Sequence, residues 1–150
     1  MPVQRSSPDG LVPEVPFAHV AVSTGTRHVV VAGQIASDAS GALVAHGDLT
    51  GQVAQALRNV GIGLAGGGAT FDDVVRFTFY IAGWSPDQHD AFIAGVDRVA
   101  STLGIPQPMP PSTLIGVASL VTSEALVEIA AAAVSVKEKR GLALRAPVAT

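Results

Sequence analysis

A single carboxylate interrupts the longest apolar run of this chain. Glu128 stands within Ala125-Leu126-Val127-Glu128-Ile129-Ala130-Ala131-Ala132-Ala133-Val134. Such a run reads as a strand with at least one face buried. A carboxylate in that setting is costly unless it is paired, hydrogen-bonded or protonated. Glu128 is therefore either a site residue or an acid on the wet face of a half-buried strand, and the sequence leaves both open. Just upstream, Pro110-Pro111-Ser112-Thr113-Leu114-Ile115-Gly116-Val117-Ala118-Ser119-Leu120 reads as a companion strand, joined to the first by a short turn.

The rest of the chain must supply cover for these strands. Residues 1-14 hold Pro2, Pro8 and Pro13 with little pattern and are expected to be a loose arm. Phe17 to Val22 and the β-branched stretch Arg27 to Ile35 read as two strands of a hairpin, with Thr24-Gly25-Thr26 as the turn. Gly33, beside Ala32, permits a bulge or a close approach to the backbone. Asp48 or Thr50 can cap a helix over roughly 49-65, where Val53, Ala56, Leu57, Val60 and Leu64 form one stripe. Gln52, Gln55, Arg58 and Asn59 fall on or beside the other face. From Val74 to Ile81 apolar and polar residues alternate, as on a half-buried strand. Ser85-Pro86-Asp87-Gln88 opens a second helix with a capping pattern, and Gly104 ends it. Its stripe is Phe92, Val96, Val99 and Leu103.

The order β-β-α-β-α-β-β gives an α+β fold with one sheet and both helices on one face. The domain is expected over 15-136, followed by a charged tail over 137-150. The other sheet face then needs a cover. Only 14% of the residues are charged, well below the usual quarter, so a second copy of the chain is the natural supplier.

Several classes are excluded or unsupported. A net charge of -3 gives no case for nucleic acid as a partner. Zero cysteines rules out disulfides, thiolate nucleophiles and Cys-ligated metals. His19, His28, His46 and His89 lack ligand spacing, so no metal and no cofactor is expected. Gly61-Ile62-Gly63-Leu64-Ala65-Gly66 matches a dinucleotide fingerprint by letter but falls at the end of a helix. No apolar leader or membrane-length run is visible, so no membrane partner and a cytoplasmic location are expected.

Gly33-Gln34 after an apolar strand, the helix bearing Gln52 and Asn59, Asp73-Val74-Val75 and the Pro110…Leu120…Val127-Glu128-Ile129 block together resemble the Rid family, the YjgF-type reactive-intermediate deaminases. The likeness runs from about Phe17 to Val136. It implies a homotrimer with ligand clefts between subunits, and hydrolysis of enamines and imines such as 2-aminoacrylate. Residue by residue, it makes Glu128 the acid that positions or activates water, with Ala32 and Gly33 lining the pocket. Ser112 stands where the family has a carboxylate-gripping arginine. Leu114 replaces a common cysteine, and Phe17 replaces a hydroxyl-bearing aromatic.

Serine cannot imitate a bidentate arginine in charge or geometry. The expectation is a divergent family member with a small-molecule substrate and without standard carboxylate recognition. Two classes follow: an enamine/imine deaminase-like hydrolase with Glu128 as general base, or a non-catalytic trimer that binds a small molecule or protects a partner.

Overall fold

The structure, a computed structural model, describes residues 3–136. In chain order it contains β1 (Val3–Ser6), β2 (Val20–Ser23), β3 (Arg27–Gln34), α1 (Leu49–Gly67), β4 (Val74–Ala82), α2 (His89–Leu103), β5 (Ser112–Val117) and β6 (Val127–Ser135). The acid-bearing run becomes β6, an inner strand of a mixed four-stranded sheet in the order β3-β6-β4-β5. β6 is antiparallel to both neighbours. β5 is parallel to β4, which it reaches through α2.

Both helices lie on one face of this sheet. On β4 the inward residues are Phe77, Phe79 and Ile81, each at most 1% exposed. A register shift between Val74 and Arg76 turns Val74 inward as well. The expected α1 stripe of Val53, Ala56, Leu57, Val60 and Leu64 is fully buried. Each of the four larger side chains, Val53, Leu57, Val60 and Leu64, contributes roughly 1.5–3 kcal/mol. That outweighs the five glycines of α1, which cost about 1 kcal/mol apiece in helix propensity. The helix stands by packing rather than by propensity. One of those glycines, Gly63, lets α1 lie close on β3, because a Cβ there would come within 2.7 Å of Val31.

The ends follow the local signals. Asp48 is the N-cap of α1 and accepts from the Gly51 amide, while Gly68 closes the helix in the left-handed conformation. Ser85 and Gln88 form a reciprocal capping box on a single 3-10 turn ahead of α2. Gly104 terminates α2. The fingerprint-like run 61-66 is continuous helix, so no phosphate cradle forms there.

Strand neighbours differ from the expected hairpins. β2 pairs with β1, and β3 pairs with β6, so the 17-35 segment is not a hairpin. β5 and β6 are likewise separated by β4. Residues 3-6, expected within a loose arm, are a strand instead. Val3 is buried, and Arg5 donates to the carbonyls of Asp72 (2.8 Å) and Val74 (2.9 Å), which ties the strand to the start of β4. Burial pushes the Arg5 guanidinium below its ordinary value, against the opposing pull of Asp72 and Asp73. The tail assigned to 137-150 lies outside the described residues.

Candidate functional site

The acid sits on the open side of the sheet. Val127 and Ile129 point into the core, so Glu128 projects from the opposite face, half-buried. Directly across the ladder is Tyr80 of β4. Antiparallel partners stand about 4.5–5.5 Å apart, so the phenol and the carboxylate share one patch. Among the described residues no hydrogen bond or ion pair engages the Glu128 carboxylate.

Gly33 makes room for that acid. The β3–β6 register shifts between Val31 and Gln34, so Ala32 and Gly33 bulge against β6. A Cβ on Gly33 would stand 2.7 Å from Cγ and Cδ of Glu128 and closer still to a carboxylate oxygen. The structure therefore brings Ala32, Gly33 and Glu128 together, and it adds Tyr80. The alternation over 74-81 already put Tyr80 on the outer face. Only the ladder register aligns it with Glu128.

Helix α1 fixes the two segments that flank this cluster. Gln52 is 0% exposed, not on a polar face as its spacing suggested. It donates to Ala45 O (3.3 Å) and Glu124 O (3.1 Å) and accepts from the Leu126 amide (2.8 Å), two residues before Glu128. Asn59 donates to Ile35 O (2.9 Å) and Ser37 O (2.8 Å), just after the bulge. These amides satisfy loop carbonyls that have no ladder partner. Gln52 and Asn59 are positioning residues. The available sequence signal was that Gln52 lies one turn from both Leu49 and Ala56.

Phe17, Ser112 and Leu114 form a second group. They line a cavity of about 440 Å³ together with Phe79, Trp84, His89, Phe92, Ile93 and Met109. Ser112 and Leu114 pair with Phe77 and Phe79 on the helix side of the sheet. Glu128 and Tyr80 are on the other side. Within one chain, then, the expected site residues divide into two groups, back to back across β4 and β5. The Ser112 hydroxyl donates to Pro110 O at 2.7 Å, which leaves its oxygen free to accept. Reciprocal backbone bonds hold the Phe17 wall: Ala18 N donates to Met109 O (2.7 Å) and Met109 N to Pro16 O (2.9 Å).

The cavity lining contains no Lys or Arg, and His89 is its one ionisable side chain. It cannot offer a carboxylate the charge-assisted pair that an arginine would. Elsewhere, Ser40 and nearby backbone amides hold the Asp38 carboxyl below its usual range, as expected for a turn. Among the described residues no cluster of three or more His, Asp or Glu could hold a metal ion, and no helix is long and apolar enough to cross a membrane.

A family model described as Endoribonuclease L-PSP matches residues 8–135. Among solved structures, YyfB from Yersinia pestis, a protein of unknown function of the conserved Rid protein family, is 34% identical. The match covers 90% of this chain and 100% of that one, with a TM-score of 0.79. A YjgF-type family member from Mycobacterium tuberculosis is 26% identical over 89% of this chain and 99% of its own, with a TM-score of 0.56. The E. coli YjgF gene product, 21% identical over 87% of this chain and 92% of its own, shares the fold at a TM-score of 0.62. A comparison with curated proteins gives no match.

Proposed function

We propose that this chain, which belongs to the Endoribonuclease L-PSP (YjgF/Rid) family, hydrolyses an uncharged imine or enamine in a cleft shared between identical subunits. The observation that carries this reading is the cation-free cavity around Ser112, at the position where the family resemblance puts carboxylate recognition. Against this wall of the cleft a substrate carboxylate would lose its solvation without gaining a Lys or Arg partner. RNA cleavage is not the reading, because the chain carries a net negative charge and the cavity holds no Lys or Arg.

The chemistry assigns Glu128 as general base. It takes a proton from water as the oxygen bonds to the imine carbon. The proton passes to nitrogen to give the carbinolamine. Glu128 then moves the carbinolamine hydroxyl proton to that nitrogen as the carbon–nitrogen bond breaks, and the products are a carbonyl compound and ammonia. In this reading Tyr80, across the ladder from Glu128, donates to the same oxygen. One subunit cannot bring Glu128 to its own cavity, since the sheet lies between them. A neighbour packed on the outer face can present its cavity instead. Support comes from the apolar exposure of that face, where Val30 is 79% and Ile115 40% exposed. A homotrimer follows, as the resemblance implies.

The same separation favours a second reading, a trimer that binds a small molecule without turning it over. Two measurements decide. Light scattering should give three times the 15.2 kDa chain mass, and a monomer mass removes the shared cleft. Ammonia release from an uncharged imine, made in situ by an amine oxidase, should be accelerated and should be abolished in Glu128→Gln with the trimer intact. Unchanged turnover in that variant would refute the assigned base, and no turnover in either protein would leave the binding role.

A further inference from the structure

The cavity beside Ser112 has walls that select more than charge. Four rings contribute to its lining, those of Phe17, Phe79, Trp84 and Phe92. Phe79 and Phe92 already meet edge to face, with centroids 4.9 Å apart and planes at 81°. Trp84 follows the end of β4 and lies against β5 at Gly116. A Cβ at Gly116 would stand 3.0 Å from Trp84 Cβ and 3.7 Å from Cγ. The missing side chain at Gly116 is what allows the indole to close that side. Polar atoms converge only at Ser112, whose oxygen can still accept, and at His89, which is exposed. A volume of about 440 Å³ lies toward the lower end of known ligand pockets, which run from roughly 300 to 1,000 Å³.

We propose that this cavity takes the aromatic ring of an uncharged ligand, with Trp84, Phe17 and Phe92 gripping the ring and Ser112 and His89 contacting a polar group beside it. The inference rests on the reading of the cavity as the substrate subsite and names the class of substrate: an imine or enamine with an aryl substituent and no carboxylate. Ring edges and faces complement one another in offset or T-shaped contacts, which a saturated ring of the same size cannot make. Trp84 and His89 become the specificity-determining residues of the subsite. Neither carries a signal in the sequence beyond its place near the start of α2.

The test is calorimetric binding of three non-reactive probes to the intact protein. Phenylacetamide should bind at least tenfold more tightly than phenylacetate, which has the same shape but carries a charge and no N–H donor, and several-fold more tightly than cyclohexylacetamide, which lacks the aromatic face. Trp84→Ala should weaken phenylacetamide tenfold or more. Ser112→Arg, at a half-buried rim position that should tolerate a long side chain, should reverse the preference toward phenylacetate. Equal or tighter binding of phenylacetate by the native protein overturns the proposal. So does failure of all three probes to bind at millimolar concentration, or an unaltered preference in Ser112→Arg. Binding is read without turnover. Selective binding with no hydrolysis therefore removes the hydrolase reading and keeps this one, and hydrolysis of small aliphatic imines with no aryl preference does the reverse.

Discussion

Replacing Gly33 with alanine probes the Glu128 patch without knowledge of the substrate. Ordinary contact begins at 3.4 Å, and the new Cβ would stand 2.7 Å from Cγ and Cδ of Glu128 and closer to a carboxylate oxygen, so the carboxylate must retreat by at least about 0.7 Å. Gly33 is not among the glycines with positive φ, so alanine is permitted by the backbone itself. The obstacle is a flexible side chain, and pushing it off its rotamer costs about 0.5–1.5 kcal/mol. Stiffening the unfolded chain offsets roughly 0.4–1 kcal/mol of this. In the native background the net change is therefore within about 1 kcal/mol. With Glu128→Ala already present, the colliding atoms are gone, and Gly33→Ala should be neutral or stabilising. The coupling in that double-mutant cycle should be about 0.5–1.5 kcal/mol. Urea unfolding of the four proteins, followed by the fluorescence of Trp84 at one fixed protein concentration, measures it. Equal effects in both backgrounds would show that Gly33 does not accommodate Glu128. Where turnover is detectable, a carboxylate displaced by most of an ångström should lower it by up to about a hundredfold.

Two further substitutions test the framework that holds the patch. Gly95→Ala should destabilise the protein by about 1–3 kcal/mol even after the gain in helix propensity, since its Cβ would meet Thr50 O at 2.7 Å and Val53 Cβ at 2.6 Å, neither of which can swing away. A thermal midpoint at or above that of the native protein contradicts this. Gln52→Leu keeps the volume but leaves Ala45 O, Glu124 O and Leu126 N without their partner. A loss of about 2–4 kcal/mol is expected, with faster hydrogen exchange at Leu126. Protection at that amide equal to native would show that Gln52 does not hold the loop.

The helices were legible because their determinants are local. The stripe from Val53 to Leu64, the Asp48 cap, the Ser85–Gln88 box and the glycine stops all act within a turn or two of the residues they organise. The alternation over 74-81 was legible for the same reason, and so was the lone acid on β6. Glu128, Ala32 and Gly33 were singled out as candidates by the resemblance carried by their motifs, and the fold brings them together. Strand partners were not legible. A ladder joins backbone groups that every residue possesses, so the sequence of 17-35 carries no mark that β3 belongs beside β6 and not beside β2. Proximity along the chain suggested hairpins, and burial of the long apolar strand β6 between two neighbours overrode it.

The tertiary structure also decided which residues can act together. One residue of register sends a strand side chain to the opposite face, so Phe79 lines the cavity while Tyr80 faces the acid. By itself, the sequence determined the α+β class, the family to which its motifs point and the residue types available for chemistry: one acid on an apolar strand, and a serine at the position where the resemblance implies an arginine. Only the folded chain decided that Ser112, Leu114 and Phe17 join Trp84 around one cavity, that Glu128 stands across the sheet from them, and that Gln52 is buried to hold the loop between. Residue types are written in the chain locally. Their grouping depends on strand order and register, which the burial of apolar surface selects over the whole domain at once.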